Sequence, residues 1–235
     1  MLKQDYEGAV KLILGPRQEK NKVVAAAREA YAENGDVEEA LKKFPRFMVL
    51  ERKVLLGMAK AGGDKAYWNG IVELPRNSRM LYGHAYQSYI WNRAVSYRAS
   101  LGLELQPGDF VSRNTQDITV ITPENINDFT IEDLALPLPG CMIDYPENLK
   151  SLYESLLAED GLTSESFVAD VKSLSLTGAY RRCLVIPKDL ELRELKYADM
   201  NDEEPSESGD IRGIEISFTL PSSSYATMLL RELMK

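Results

Sequence analysis

Helical spacing of apolar residues runs through the first hundred positions, interrupted at glycine and proline. YEGAVKLIL keeps its apolar side chains on one face and stops at Gly15-Pro16, a strong breaker pair. NKVVAAAREAYAEN is alanine-rich and ends at Gly35, and Asp36 is a candidate N-cap for VEEALKKF. Pro45 opens RFMVLERKVLLGMAKA, which runs to Gly62-Gly63, and Asp64 is a candidate cap for KAYWNGIV. A long helix then starts at Asn77 or Ser78, continues to about Ser100 and closes at Gly102.

Beyond Gly102 the period shortens. FVSR and ITVI are β-type runs bounded by Asn, Asp and Pro, and LALPLPG is an extended stretch punctuated by proline. ENLKSLYESLLAEDG returns to helical spacing, and SFVADVKSLSL reads as a further helix. YRRCLVIP and IRGIEISFTL read as strands. YATMLLRELMK is a closing helix entered from Pro221, with Ser222, Ser223 and Ser224 as cap candidates. The fold class is α+β, with a mostly helical first half and a mixed α/β second half.

Charge sharpens this picture. The chain carries a net charge of -8, yet residues 74–103 contain no acid and hold Arg76, Arg79, Arg93 and Arg98. The same segment carries Tyr82, Tyr86, Tyr89, Trp91 and Tyr97. Arginines interleaved with aromatics suit nucleic acid, because phosphate takes the guanidinium and an exposed base takes the ring. An amphipathic helix with an aromatic core face gives the same pattern. The acid is concentrated in residues 199–210, DMNDEEPSESGD, which hold six acidic residues; without that run the balance is -2. Net acidity therefore leaves room for a basic groove elsewhere.

Several chemistries have no support. No stretch approaches the roughly 20 apolar residues of a membrane span, and MLKQDYEGAV resembles neither a signal nor a transit peptide. Cys141 and Cys183 lie far apart and read as two reduced thiols. His84 is the sole histidine, so a His/Cys metal site lacks ligands, and neither a phosphate-binding loop nor a Gly-x-Ser-x-Gly elbow occurs. The sequence implies no metal, no cofactor and no recognisable catalytic constellation.

Three segments, taken in order, resemble the TruD family of tRNA pseudouridine synthases, most closely its eukaryotic branch. The first runs from Pro75-Arg76-Asn77 through His84-Ala85-Tyr86-Gln87-Ser88-Tyr89-Ile90-Trp91-Asn92 and resembles the family's Gln-Ser helix. The second is Leu136-Pro137-Leu138-Pro139-Gly140, followed by Asp144-Tyr145-Pro146 and Gly178-Ala179-Tyr180-Arg181-Arg182. The third is Phe218-Thr219-Leu220-Pro221, continuing through Tyr225 to Leu230-Arg231-Glu232-Leu233. The resemblance implies isomerisation of uridine to pseudouridine in tRNA and other RNAs, with no cofactor, in the nucleus or cytoplasm.

It also implies an incomplete enzyme. The family's nucleophilic aspartate lies in a Gly-x-Lys-Asp type motif, which does not occur; Lys3-Gln4-Asp5 and Pro187-Lys188-Asp189 are look-alikes without the right context. Residues 1–188 then correspond to the family's insertion domain, and 189–235 to the last strands and helix of its catalytic domain. On this reading no catalytic residue is present. The strand IRGIEISFTL pairs with YRRCLVIP, with LELRELKY, or with another copy of the chain, so exposed edges allow self-association. A non-catalytic RNA- or protein-binding module derived from the family is the alternative.

The resemblance assigns RNA-facing candidates Arg76, Arg79, Tyr82, His84, Gln87, Tyr180 and Arg181. Candidates for the active-site wall are Ser88, Asn92, Tyr225 and Arg231. Each has a structural rival. Arg76 and Arg79 meet phosphate or form salt bridges. The helix tyrosines, including Tyr82, share one face, where core packing is the expectation for most. Gln87, Ser88 and Asn92 either face the uridine or hold the helix in place. His84 meets RNA or sits half-buried. Arg181 and Arg182 are adjacent on a strand and point to opposite faces, so at most one of them contacts RNA. Tyr225 and Arg231 belong to the part that joins the catalytic domain, where Arg231 shapes the uridine pocket or anchors the last helix.

Overall fold

The computed structural model describes residues 1–235 except 115–116, 170–174, 202–203, 207, 223 and 235. Five helices come first: α1 (Tyr6–Leu14), α2 (Lys22–Asn34), α3 (Val37–Lys43), α4 (Val49–Ala61) and α5 (Ala66–Glu73). Local chemistry sets their ends. Asn21 Oδ1 accepts from the Val23 and Val24 amides at the start of α2, and Gly35 ends that helix at φ 66°. The Asp36 carboxylate accepts from the Glu39 amide, as the sequence predicts for α3. Two expectations fail here. Residues 45–48 form a turn, so α4 starts at Val49 rather than at Pro45. Asp64 lies within a short 3-10 turn, and α5 begins after Lys65 with no side-chain cap.

These helices enclose a first hydrophobic core of residues such as Val10, Leu14, Phe44, Leu55 and Ile71. A fully buried arginine crosses it. Arg28 donates to the Ile13 and Gly15 carbonyls and to Glu51 Oε1, tying the end of α1 to α4. Arg52 likewise donates to the Leu41 and Phe44 carbonyls at the end of α3. A guanidinium suits this position because the last carbonyls of a helix lack intrahelical partners and carry its negative dipole end.

The long helix α6 (Arg76–Ser100) follows directly, entered from Pro75 without a side-chain cap. Two short strands come next, β1 (Phe110–Val111) and β2 (Thr119–Val120), paired antiparallel. Then follow β3 (Ala135–Leu138), α7 (Lys150–Ala158) and β4 (Ala179–Arg182), with β3 and β4 antiparallel. The buried face of α6, with Ile90, Trp91 and Ala94, packs on β3 and α7 around Tyr153, Leu156 and Phe167 in a second core. Residues Ser164–Phe167 form a 3-10 turn rather than the start of a helix, and 170–174 of that expected helix lie outside the described residues.

Three side chains tie this core to β3 and the residue that follows it through main-chain carbonyls. Trp91 Nε1 donates to Leu136 O at 3.1 Å, Tyr153 OH to Pro137 O at 2.8 Å, and Gln87 Nε2 to Pro139 O at 2.7 Å. Prolines 137 and 139 remove ladder donors from this segment, so its remaining polar groups are met by side chains instead.

The C-terminal end of α6 is fixed by a buried ion pair. Arg98 makes two bonds to Asp109, at 2.9 and 2.6 Å, and also donates to the Gly102 and Glu104 carbonyls. Asp109 accepts further bonds from the Gln106 amide and from Asn148 Nδ2, which brings in the chain leading to α7.

The chain ends in β5 (Lys188–Tyr197), β6 (Ile211–Thr219) and α8 (Ala226–Leu233). Within the chain IRGIEISFTL pairs with LELRELKY, in an antiparallel hairpin, and not with YRRCLVIP. No described residue of these three elements is buried. Tyr225 precedes α8 without a side-chain cap, so Ser222 and Ser224 do not serve the role expected of them, and Ser223 lies outside the described residues.

Because Asp109 neutralises a buried guanidinium, Asp109→Ala should cost about 3–5 kcal/mol in chemical denaturation. A loss below about 1 kcal/mol, the value of a surface pair, would contradict a buried role.

Candidate RNA-binding groove

The acid-free helix places its N-terminal half against two segments distant in sequence. Gly83 lies where an added Cβ would be 2.7 Å from Leu176 Cδ1. At Gly140 a Cβ would stand 2.2 Å from the Gly178 amide nitrogen, so only glycine lets these two backbones touch. Gly178 itself has φ 89°. The Cys141 and Met142 amides donate to the Leu176 and Thr177 carbonyls at 2.9 and 3.0 Å, closing the contact. The Gln-Ser helix, LPLPG and the segment before AYRR are thereby clamped together.

Beside this clamp runs a groove of about 270 Å³, bounded by Met80, His84, Gln87 and Ser88 on α6 and by Leu138 and residues 175–179 opposite. Among the described residues no carboxylate lines it. Ser88 Oγ donates to the His84 carbonyl within the helix, and His84 is exposed at the rim. On β4, Arg181 lies in register with Leu136 and stacks over the Trp91 ring, its guanidinium carbon 4.9 Å from the ring centroid. Among the described residues the Arg181 side chain has no hydrogen bond or ion pair. Arg182 faces the other way, donating to the Ser112 and Arg113 carbonyls. Burial pushes the neighbouring Cys183 thiol up to about 12, which keeps it protonated at neutral pH.

The remaining sequence candidates scatter. Arg79 donates to the Val72 carbonyl at 2.6 Å and caps α5, the fourth arginine here to close a helix. Gln87 is buried as a strut to β3. Arg76, Tyr82 and Asn92 are exposed on α6. Tyr180 lies on the opposite face of β4 from Arg181; it hydrogen-bonds the Asp144 backbone and packs edge-on against Phe110. Tyr225 and Arg231 are exposed on the C-terminal segment and take no part in the groove.

The tyrosine expectation is overturned. Tyr82, Tyr89 and Tyr97 are 40%, 50% and 45% exposed, and Tyr86 is half-buried with its hydroxyl donating to Asp160. The core stripe of α6 is instead Gln87, Ile90, Trp91, Ala94 and Arg98, about a third of a turn round the helix, with Tyr86 packed at its edge. Sequence reasoning missed Met80, Ser175, Leu176 and Thr177 as groove walls. The 83-to-176 contact that brings them in carries no local signature.

A family model described as tRNA pseudouridine synthase D (TruD) matches residues 1–233. The chain belongs to the TruD family. Multisubstrate pseudouridine synthase 7 of Schizosaccharomyces pombe is 32% identical over 279 residues, an alignment covering 100% of this chain and 41% of that protein. The human pseudouridylate synthase 7 homolog is 32% identical over 253 residues, covering 100% of this chain and 38% of that protein. Both of these relatives are eukaryotic, in line with the branch expected from the sequence. The chain thus spans about two fifths of the length of the relatives it matches. A solved structure described as a tRNA pseudouridine synthase D from Methanosarcina mazei shares the TruD fold at TM-score 0.82 and 24% identity. It covers 99% of this chain and 55% of that one.

Gly140→Ala should destabilise the protein by about 1–3 kcal/mol or more, because backbone must move. Gly83→Ala should cost less, because the flexible end of Leu176 can shift. Thermal melts of the two variants compare them directly; equal midpoints would refute the clamp.

Proposed function

We propose that this chain is the RNA-holding part of a pseudouridine synthase that isomerises uridine to pseudouridine in tRNA and related RNAs. The observation that carries this reading is the pairing of an unengaged, aromatic-backed arginine with an acid-free groove formed by the family's own motifs. A uridine must leave its stack to react, at a cost of a few kcal/mol, so the strand around it must be held firmly. Arg181 is suited to phosphate: Trp91 fixes its plane while its N–H groups stay available. Exposed Tyr82 and Tyr89 on α6 offer further flat faces for unstacked bases.

The Gly-x-Lys-Asp type motif that carries the family's aspartate nucleophile does not occur in these 235 residues, so on this reading the nucleophile comes from another part of the enzyme. The same lack of that motif fits the second reading, a binding module without activity. The two separate experimentally. Incubated alone with tRNA, this polypeptide should form no pseudouridine by mass spectrometry, and measurable turnover would refute the assignment. Turnover restored by adding the family's aspartate-bearing part selects the first reading over the second.

Affinity for RNA tests the grip itself. Arg181→Ala should weaken tRNA binding and lower the slope of log K against log salt by about 0.7–1. Arg182→Ala should lower stability and leave that slope unchanged. An unaltered slope for Arg181→Ala would count against phosphate contact.

A further inference from the structure

We propose that the groove between α6 and the β3–β4 hairpin is a subsite for a single ribonucleotide, in which Gln87 Oε1 accepts a hydrogen bond from that nucleotide and Arg181 holds the adjoining phosphate. This rests on the RNA-holding role above and deepens it.

The argument turns on the side-chain amide of Gln87. Only its NH2 end can face a carbonyl, and Nε2 lies 2.7 Å from Pro139 O. That contact fixes which end is which and leaves Oε1 as the end available to the groove that Gln87 lines. Oε1 takes no hydrogen bond among the described residues. The side chain is 5% exposed, so its orientation is locked by packing rather than chosen by solvent. The result is a preset acceptor, which selects for a donor.

The rest of the groove fits the same guest. Its volume of about 270 Å³ sits at the lower edge of the roughly 300–1,000 Å³ of small-ligand clefts, so it holds one nucleotide unit rather than a run of stacked bases. Met80, Leu138 and Leu176 supply apolar walls for a ring face. Ala179 lines the groove, and Arg181, two residues along β4, lies on the same face of the strand with its guanidinium over Trp91. Two strand residues span about 7 Å, so base or sugar in the groove and phosphate at Arg181 would be neighbouring parts of one nucleotide. The donor for Oε1 is either the ribose 2′-hydroxyl, which marks RNA, or an N–H of the base.

Fluorescence anisotropy with a labelled single-stranded, uridine-containing RNA oligonucleotide and its 2′-deoxy counterpart tests this. Gln87→Met keeps the side-chain length and removes the acceptor, but also releases Pro139. Ala179→Phe is therefore the second variant, since it fills the groove from an exposed strand position and leaves both cores alone. Each should weaken RNA binding roughly tenfold or more. Weaker wild-type binding of the 2′-deoxy strand assigns the donor to the ribose; equal wild-type binding, with both variants still impaired, assigns it to the base. Wild-type RNA affinity in a folded Ala179→Phe protein overturns the subsite while the RNA-holding role stands. No binding of either oligonucleotide by the wild type overturns both.

Discussion

A 25-residue helix can present a groove only if its ends are held, and the buried Arg98–Asp109 pair holds one of them. The pair is 1% and 0% exposed, so each charge depends on the other. Asp109 also takes the Gln106 amide and Asn148. One carboxylate therefore fixes where α6 stops, how the chain turns and where α7 begins. At the other end Arg79 fastens α6 to the last turn of α5. Between these anchors the side chains of Gln87 and Trp91 have a set height against β3, and Arg181 finds Trp91 beneath it.

The structure uses arginine mostly as cement. Arg28, Arg52, Arg79 and Arg98 each close a helix end through main-chain carbonyls. The acid-free character of residues 74–103 thus reports in good part on internal capping. Arg93, for its part, is paired with Glu159. A cation proposed for a polyanion beside the groove, Arg181, comes from β4, far along the chain, where the sequence offers two adjacent arginines and strand alternation points them to opposite faces.

That contrast explains what the sequence could and could not convey. Helix ends at Gly15, Gly35 and Gly62 were legible because a glycine or a breaker pair acts locally. The start of α4 was not, since Pro45 suits a turn as well as a first helical residue. Exposure of Tyr82, Tyr89 and Tyr97 was missed because their spacing defines one face without saying which face is inside; the polar Gln87 and charged Arg98 marked the buried side, each with a specific partner. The groove depends on glycine contacts between residues 83 and 176 and between 140 and 178, separations that periodicity cannot bridge. Family motifs pointed to these segments, while their contacts required the fold. The β5–β6 hairpin and α8 show a different limit. Their apolar residues, such as Leu192 at 61% and Ile214 at 69% exposure, alternate as a sheet face should, yet nothing described here covers them.

The central claim is that RNA lies along the N-terminal half of α6 and the facing 176–181 segment. Amide hydrogen exchange of the protein with and without a saturating uridine-containing RNA reads that footprint directly. The account predicts RNA-dependent protection concentrated in residues 80–88 and 176–181, with the first helical core unchanged. Protection confined to α1–α5 or to the β5–β6 hairpin, with the groove segments exchanging as in the free protein, would contradict it.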